Sequence, residues 1–229
     1  MTKTNKKGFT LAEVLITLGI IGVVSVLTIP NIISNYQKKV YVTQLQKAYN
    51  QISNALELLM VDEEVDNLNE TSLFCDYEVM GEDGCGRQVI DSLKKYIKVT
   101  KYCGFIDEDY DCHVEQYKML NGDLEKSDFY NCVKTNSNFV ICFQEFYRGT
   151  PMKVFVDVNG KKGPNVLGRD AFRFEVNYKG EFAETFRGYP NHLDDAINNP
   201  NICGTDPTGQ GYSNGCFMKI INDDWVMDY

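Results

Sequence analysis

The chain is poor in the residue types on which most metal and nucleophile chemistry rests. It has 2 histidines in 229 residues, and no two of its 8 cysteines form a C-x-x-C pair. A zinc site of finger-like spacing therefore has no ligand framework. Positive charge is also short, with 23 Lys and Arg against 32 Asp and Glu for a formal charge of −9. That balance argues against a sequence-independent nucleic-acid binder, which needs an excess of cations. No H-E-x-x-H pair, Cys–His signature or dinucleotide fingerprint occurs. Eight cysteines in 229 residues also fall short of the ~8–10% expected of a small scaffold held mainly by disulfides. The most informative shortage is local. From Val14 to Ile33 the sequence VLITLGIIGVVSVLTIPNII carries no ionisable side chain.

Twenty such residues span about 30 Å as a helix, the thickness of a bilayer's hydrocarbon core. Lys3, Lys6 and Lys7 precede the run, a charge bias that keeps the N-terminus cytoplasmic and sends the remainder outside. A secretory signal would place its small residues after a shorter apolar core. Here Gly8 comes first, followed by Phe9-Thr10-Leu11-Ala12-Glu13 and then the apolar run. Cutting after Gly8 would remove the basic leader and leave the apolar helix in place. Glu13 is costly inside a membrane and is a functional candidate for that reason, the alternative being an interfacial Glu that reaches the headgroups. A new α-amino group on Phe9 would lie four residues before it, so the two charges could pair between neighbouring copies and fix their register.

Lys7 to Glu13, followed by an apolar helix, resembles the prepilin signal of type IV pilins and of the pseudopilins of type II secretion systems. The resemblance implies cleavage between Gly8 and Phe9 by a membrane peptidase, N-methylation of Phe9 and a filament-register role for Glu13. Gly22 and Pro30 stand where such helices commonly carry a weakening Gly and Pro, which implies loss of helical order there during assembly. The implied partners are other copies or related pilins, the prepilin peptidase and methylase, the inner-membrane assembly machinery and the lipid bilayer. The implied location is the inner membrane, single-pass with the N-terminus cytoplasmic, and then an extracytoplasmic filament.

Beyond the apolar run, Leu45, Ala48, Tyr49, Ile52, Ala55, Leu56 and Leu59 recur at the spacing of one helical face. Residues 9–60 therefore read as one helix, about 78 Å long at ~1.5 Å per residue. Its first half is apolar all round, and its second half needs a folded domain along one stripe. Pro30 predicts a kink, since it removes an N–H and crowds the preceding turn; Thr28 and Asn31 could supply polar groups to the freed backbone. The expected division is a leader at 1–8, a membrane half at 9–33, an amphipathic half at 34–60 and an exported head at 61–229.

For the head, nine acids and no Lys or Arg over 62–86 predict a solvated loop. A short helix is expected over 88–99 with Val89, Leu93, Tyr96 and Ile97 on one side. Strands are expected at Phe139–Phe146, Lys153–Val158, Phe172–Tyr178 and Glu181–Phe186, with Asn159-Gly160 and Lys179-Gly180 as hairpin turns. The fold expectation is α+β and pilin-like, a long helix packed on a small antiparallel sheet. All eight cysteines lie in the exported part, which favours disulfides. Pairing by proximity gives Cys75–Cys85, Cys103–Cys112, Cys132–Cys142 and Cys203–Cys216, one of 105 arrangements. A zinc site at Cys103, Cys112 and His113 is the competing reading.

Asp157, Asn159, Asn165 and Asp170 lie in a Gly-rich turn that resembles the segment with which some pseudopilins bind calcium. The spacing is not that of an EF-hand loop, and a tight turn built by Asn and Gly is the alternative. No other cofactor is expected. The loop from Cys203 to Cys216 reads as an exposed, disulfide-closed contact region or a plain surface loop. Two functions compete: a filament subunit, or a membrane-anchored extracytoplasmic enzyme or binding protein. The first accounts for Gly8, Phe9 and Glu13 together, whereas an anchor needs only apolar length.

Overall fold

The computed structural model describes residues 8–74, 84–104, 111–127, 131–143, 151–184, 203 and 216–229. Helix α1, Leu11–Asp62, is a single 52-residue element with Pro30 inside it. The chain divides into two compact units, residues 1–40 and 41–229. In the first, fifteen large apolar side chains from Phe9 to Ile33 are exposed. In the second, α1 buries Tyr41, Val42, Leu45, Ala48, Ile52, Ala55, Leu56 and Leu59, the stripe that the periodicity predicts.

That stripe packs in unit 2 against a six-stranded antiparallel sheet. In chain order its strands are β1 (Val99–Tyr102), β4 (Cys132–Thr135), β5 (Val140–Phe143), β6 (Met152–Asp157), β7 (Ala171–Val176) and β8 (Phe182–Glu184). They lie side by side in the same order. Between β1 and β4, strands β2 (Gln116–Lys118) and β3 (Leu124–Lys126) form a separate two-stranded pair. Alternation along the strands sorts the sheet's side chains into two cores. Val133, Ile141, Phe143, Val154, Val156, Phe172, Phe174 and Val176 join the α1 stripe. Cys132, Val140, Cys142, Phe155 and Ala171 instead join Cys112, Tyr117 and Leu167. Both faces of the sheet are thus covered, which explains why all four residues of β5 are buried.

Among the described residues a third α-helix, α3 (Cys216–Asn222), follows the sheet in sequence. Its Phe217 stacks on Phe174 with ring centroids 4.2 Å apart, and Tyr49 of α1 meets Phe182 at 4.5 Å and Trp225 at 5.4 Å. Aromatic contacts of this kind add about 0.5–1.5 kcal/mol beyond burial.

Three local expectations need correction. The helix expected over 88–99 is α2, Gly84–Leu93. Its end is closed by the amides of Lys94, Tyr96 and Ile97, which donate to Ile90 and Leu93 carbonyls. The chain then enters β1, where β-branched Val99 and Thr100 suit a strand. The segment 62–74 is not a purely solvated loop. It contains a short 3-10 helix, Leu68–Glu70, capped by the Asn67 side chain, and buries Leu68, Thr71 and Leu73. Nor is Asn159-Gly160 a hairpin turn: β6 and β7 are joined by the longer loop 158–170. The expected turn at Lys179-Gly180 does join β7 to β8, closed by the Asn177 amide donating to the Glu181 carbonyl at 2.9 Å.

The disulfides Cys103–Cys112, Cys132–Cys142 and Cys203–Cys216 are present. The second joins residues directly opposite each other on β4 and β5. Cys75, the expected partner of Cys85, lies outside the described residues, as do 144–146 and 185–186 of two expected strands and 204–215 of the C-terminal loop.

Candidate functional site

The segment from Gly8 to Glu13 has a defined local geometry. Gly8, Phe9 and Thr10 precede the helix, and Phe9 is 90% exposed. Helix α1 starts at Leu11 because Thr10 caps it. The Thr10 hydroxyl accepts from the Glu13 amide at 3.3 Å, while a Glu13 carboxylate oxygen accepts from both the Thr10 amide and the Thr10 hydroxyl at 2.8 Å. This is a capping box, two orphan donors at the helix start satisfied reciprocally. Thr10 is thus the residue that caps α1. The T-x-x-E spacing before an apolar run was the available signal. Glu13 therefore has an intramolecular partner in the single subunit.

Further along, Gly22 and Pro30 both lie within continuous helix. The Thr28 hydroxyl donates to the Val24 carbonyl at 2.9 Å, two residues before the Val26 carbonyl that Pro30 leaves without a helical donor.

The acidic turn of the head holds a second constellation. Asp157 ends β6 and Asp170 ends the loop before β7, and both are fully buried. The Tyr117 hydroxyl donates to Asp157 at 2.7 Å, and the Asn159 amide N–H donates to its other oxygen at 3.1 Å. The amides of Asn165 and Val166 donate to the two oxygens of Asp170 at 2.9 and 2.7 Å. Burial pushes the Asp157 carboxyl up to about 7, with Asp170 adding in the same direction and the Tyr117 hydroxyl and backbone donors opposing. Burial likewise raises Asp170 against the pull of the Val166 and Asn165 amides. Tyr117 rises mainly through its own burial and then through Asp157.

The loop between these carboxylates is tied to its surroundings. Lys118 of β2 donates its amide to the Asn165 carbonyl at 2.9 Å and accepts from Leu167 at 2.8 Å. Tyr229 donates its hydroxyl to the Gly168 carbonyl at 2.6 Å. Gly168 has a φ of +83°, and a Cβ there would come within 2.7 Å of the Cys216 sulfur, so only glycine fits. The zinc reading fails at its ligands, since Cys103 and Cys112 are bonded to each other. His113 lies beside Cys132 and Cys142, whose sulfurs are also disulfide-bonded.

Against known proteins, the family described as the prokaryotic N-terminal methylation motif matches residues 3–29. The chain thus carries the signal of type IV pilins and pseudopilins, on a long apolar N-terminal helix followed by a small antiparallel sheet, an α+β pilin-like fold. No curated protein and no solved structure matches the chain. The motif and helix fit a membrane-anchored, pilin-like subunit.

Proposed function

We propose that this chain is a subunit of a type IV pilus-like or type II secretion pseudopilus filament, stored in the inner membrane with its N-terminus cytoplasmic. It is made as a precursor, cut between Gly8 and Phe9 by a prepilin peptidase and methylated on the new Phe9 amine. Assembly machinery then transfers it from lipid into a helical polymer of its own copies or related pilins. The observation that carries this reading is the methylation motif over residues 3–29 set on a helix whose first half, Leu11 to Ile33, leaves fourteen large apolar side chains exposed, with Phe9 exposed just before it. Burying each such side chain is worth about 1.5–3 kcal/mol, so on the order of tens of kcal/mol favour removing that surface from water. Lipid meets the demand before assembly, and neighbouring helices meet it afterwards. Loss of the leader's three lysines takes the formal charge from −9 to −12, with Glu13 as the acid within the apolar helix.

Mass spectrometry of the protein from a strain with an active prepilin peptidase tests the reading. The expected mature N-terminus is N-methyl-Phe9. An intact leader in that strain, with other prepilins processed, overturns it.

A further inference from the structure

Three soft donors meet inside the head. The sulfurs of Cys132 and Cys142 and a ring nitrogen of His113 all lie within 4.8 Å of one another, and all three residues are buried. Cys132 and Cys142 face each other on β4 and β5, in a core shared with Tyr117, Val140, Phe155 and Leu167. None of those neighbours is charged. Histidine is seldom buried so fully as His113, at 2% exposure. Its Nδ1 lies 3.0 Å from the Val114 carbonyl oxygen. A carbonyl only accepts, so Nδ1 carries the ring proton and Nε2 keeps the lone pair. A backbone carbonyl on one ring nitrogen is what fixes the ligating tautomer of metal-bound histidines. In the oxidised head the two sulfurs are bonded to each other, which withdraws the thiolates that a metal needs. Opening that single bond leaves two thiols and a neutral imidazole around one point.

We propose that the dithiol form of the head binds zinc through Cys132, Cys142 and His113, and that the disulfide replaces the ion on oxidation. Two thiolates and a neutral imidazole balance the charge of Zn²⁺, so the site adds no net charge to its apolar surroundings. A monovalent copper ion on the same ligands would leave one negative charge buried. Zinc bonds of ~2.3 Å to sulfur and ~2.0–2.1 Å to nitrogen put tetrahedral ligand atoms about 3.5–4 Å apart, so rotations of the three side chains suffice. Three protein ligands leave the fourth position open. His113 stands between Cys112 and β2, and the ion ties that segment to β4 and β5 in the chain whose disulfide has yet to form. Oxidation proceeds by exchange with a disulfide oxidant. The Cys132 thiolate attacks the oxidant, the Cys142 thiolate displaces the mixed disulfide, and the Cys132–Cys142 bond forms as the oxidant's bond breaks. Two electrons pass to the oxidant, which takes two protons from solvent and leaves as thiols, and Zn²⁺ is released.

The test uses the full-length chain in detergent, reduced with a phosphine and titrated anaerobically with cobalt(II) chloride, a coloured stand-in for zinc. Saturable thiolate-to-cobalt absorption is expected in the reduced chain and none in the oxidised chain, with zinc chloride bleaching it. His113→Ala and Cys132→Ser should each weaken binding at least about tenfold. Absorption missing from the reduced wild type, or kept at full strength by either variant, overturns the proposal. Folding is followed separately by the thermal midpoint read at the single tryptophan, Trp225. Zinc should raise the midpoint of the reduced wild type and leave that of reduced His113→Ala unchanged, while a wild-type transition in oxidised His113→Ala shows that the variant folds. An equal rise in the two reduced chains means that the ion sits on other thiols, and the proposal fails.

Discussion

The two halves of α1 are made of similar residues and live by different rules. Residues 11–33 present Leu, Ile and Val on every side, all exposed, while residues 41–59 confine their buried positions to one stripe. Propensity does not separate them, since both are helical without a break. What differs is the medium each requires. The second half finds its apolar partner within its own chain, in β5, β6, β7 and α3. Among the described residues the first half has none, so its apolar surface calls for an apolar medium from outside the chain.

The sharpest way to break this contrast is to truncate one leucine in each half. Leu56 is 1% exposed within the core, so Leu56→Ala should cost about 2–5 kcal/mol. Leu27 is exposed, and Leu27→Ala should change the same unfolding transition by less than about 0.5 kcal/mol. Denaturant titration read at Trp225, which packs on Tyr49, compares the two. Equal effects would show that the halves form one cooperative unit.

Much of the contrast was legible in the sequence because it rests on long patterns. Twenty uncharged residues and a stripe repeated over several turns leave little choice of structure. The sheet was legible where strands are longer and rich in Val and Phe, as in β6 and β7. It was not at β2 and β3, three-residue strands of which Tyr117 is the one buried residue. Their place depends on the partner strand and on Asp157, which is distant in sequence. Leu68 and Leu73 were hidden among acids for the same reason, since burial of an isolated leucine is decided by what packs over it. At the candidate sites, Gly8, Phe9 and Glu13 stand in a contiguous motif, whereas Tyr117 reaches Asp157 across 40 positions of chain. Asp157 and Asp170 were legible as residues of a Gly-rich turn, but their burial runs against the ordinary exposure of aspartate and is not written in the pattern.

A smaller effect on stability, though a decisive one for assembly, is expected at Glu13. Glu13→Ala removes both the charge and the carboxylate of the capping box. Filaments should be lost while the unfolding transition at Trp225 stays as in the wild type. Glu13→Gln separates the two roles, because glutamine also completes a capping box but cannot pair with a charged amine. If register depends on the charge, the glutamine variant assembles as poorly as the alanine variant in a filament-shearing assay. If the cap is what matters, glutamine restores assembly and the charge-pairing argument falls.

The smallest effect belongs to Thr10, and it isolates the cap from the charge. Thr10→Val keeps the size and the Phe9 side of the chain but deletes the hydroxyl that accepts from the Glu13 amide. Loss of such a cap costs about 0.5–2 kcal/mol of helix stability, confined to the first turn since the remaining α1 hydrogen bonds are untouched. Amide hydrogen exchange in detergent micelles reads this directly. The Glu13 amide should exchange faster in Thr10→Val, while residues beyond the first turn and the whole of the second half stay protected. Thr10→Ser retains an accepting hydroxyl and should match the wild type. Unchanged exchange at Glu13 in the valine variant would mean that the helix start is held by its apolar surroundings, and that Glu13 is free to exchange partners at no local cost.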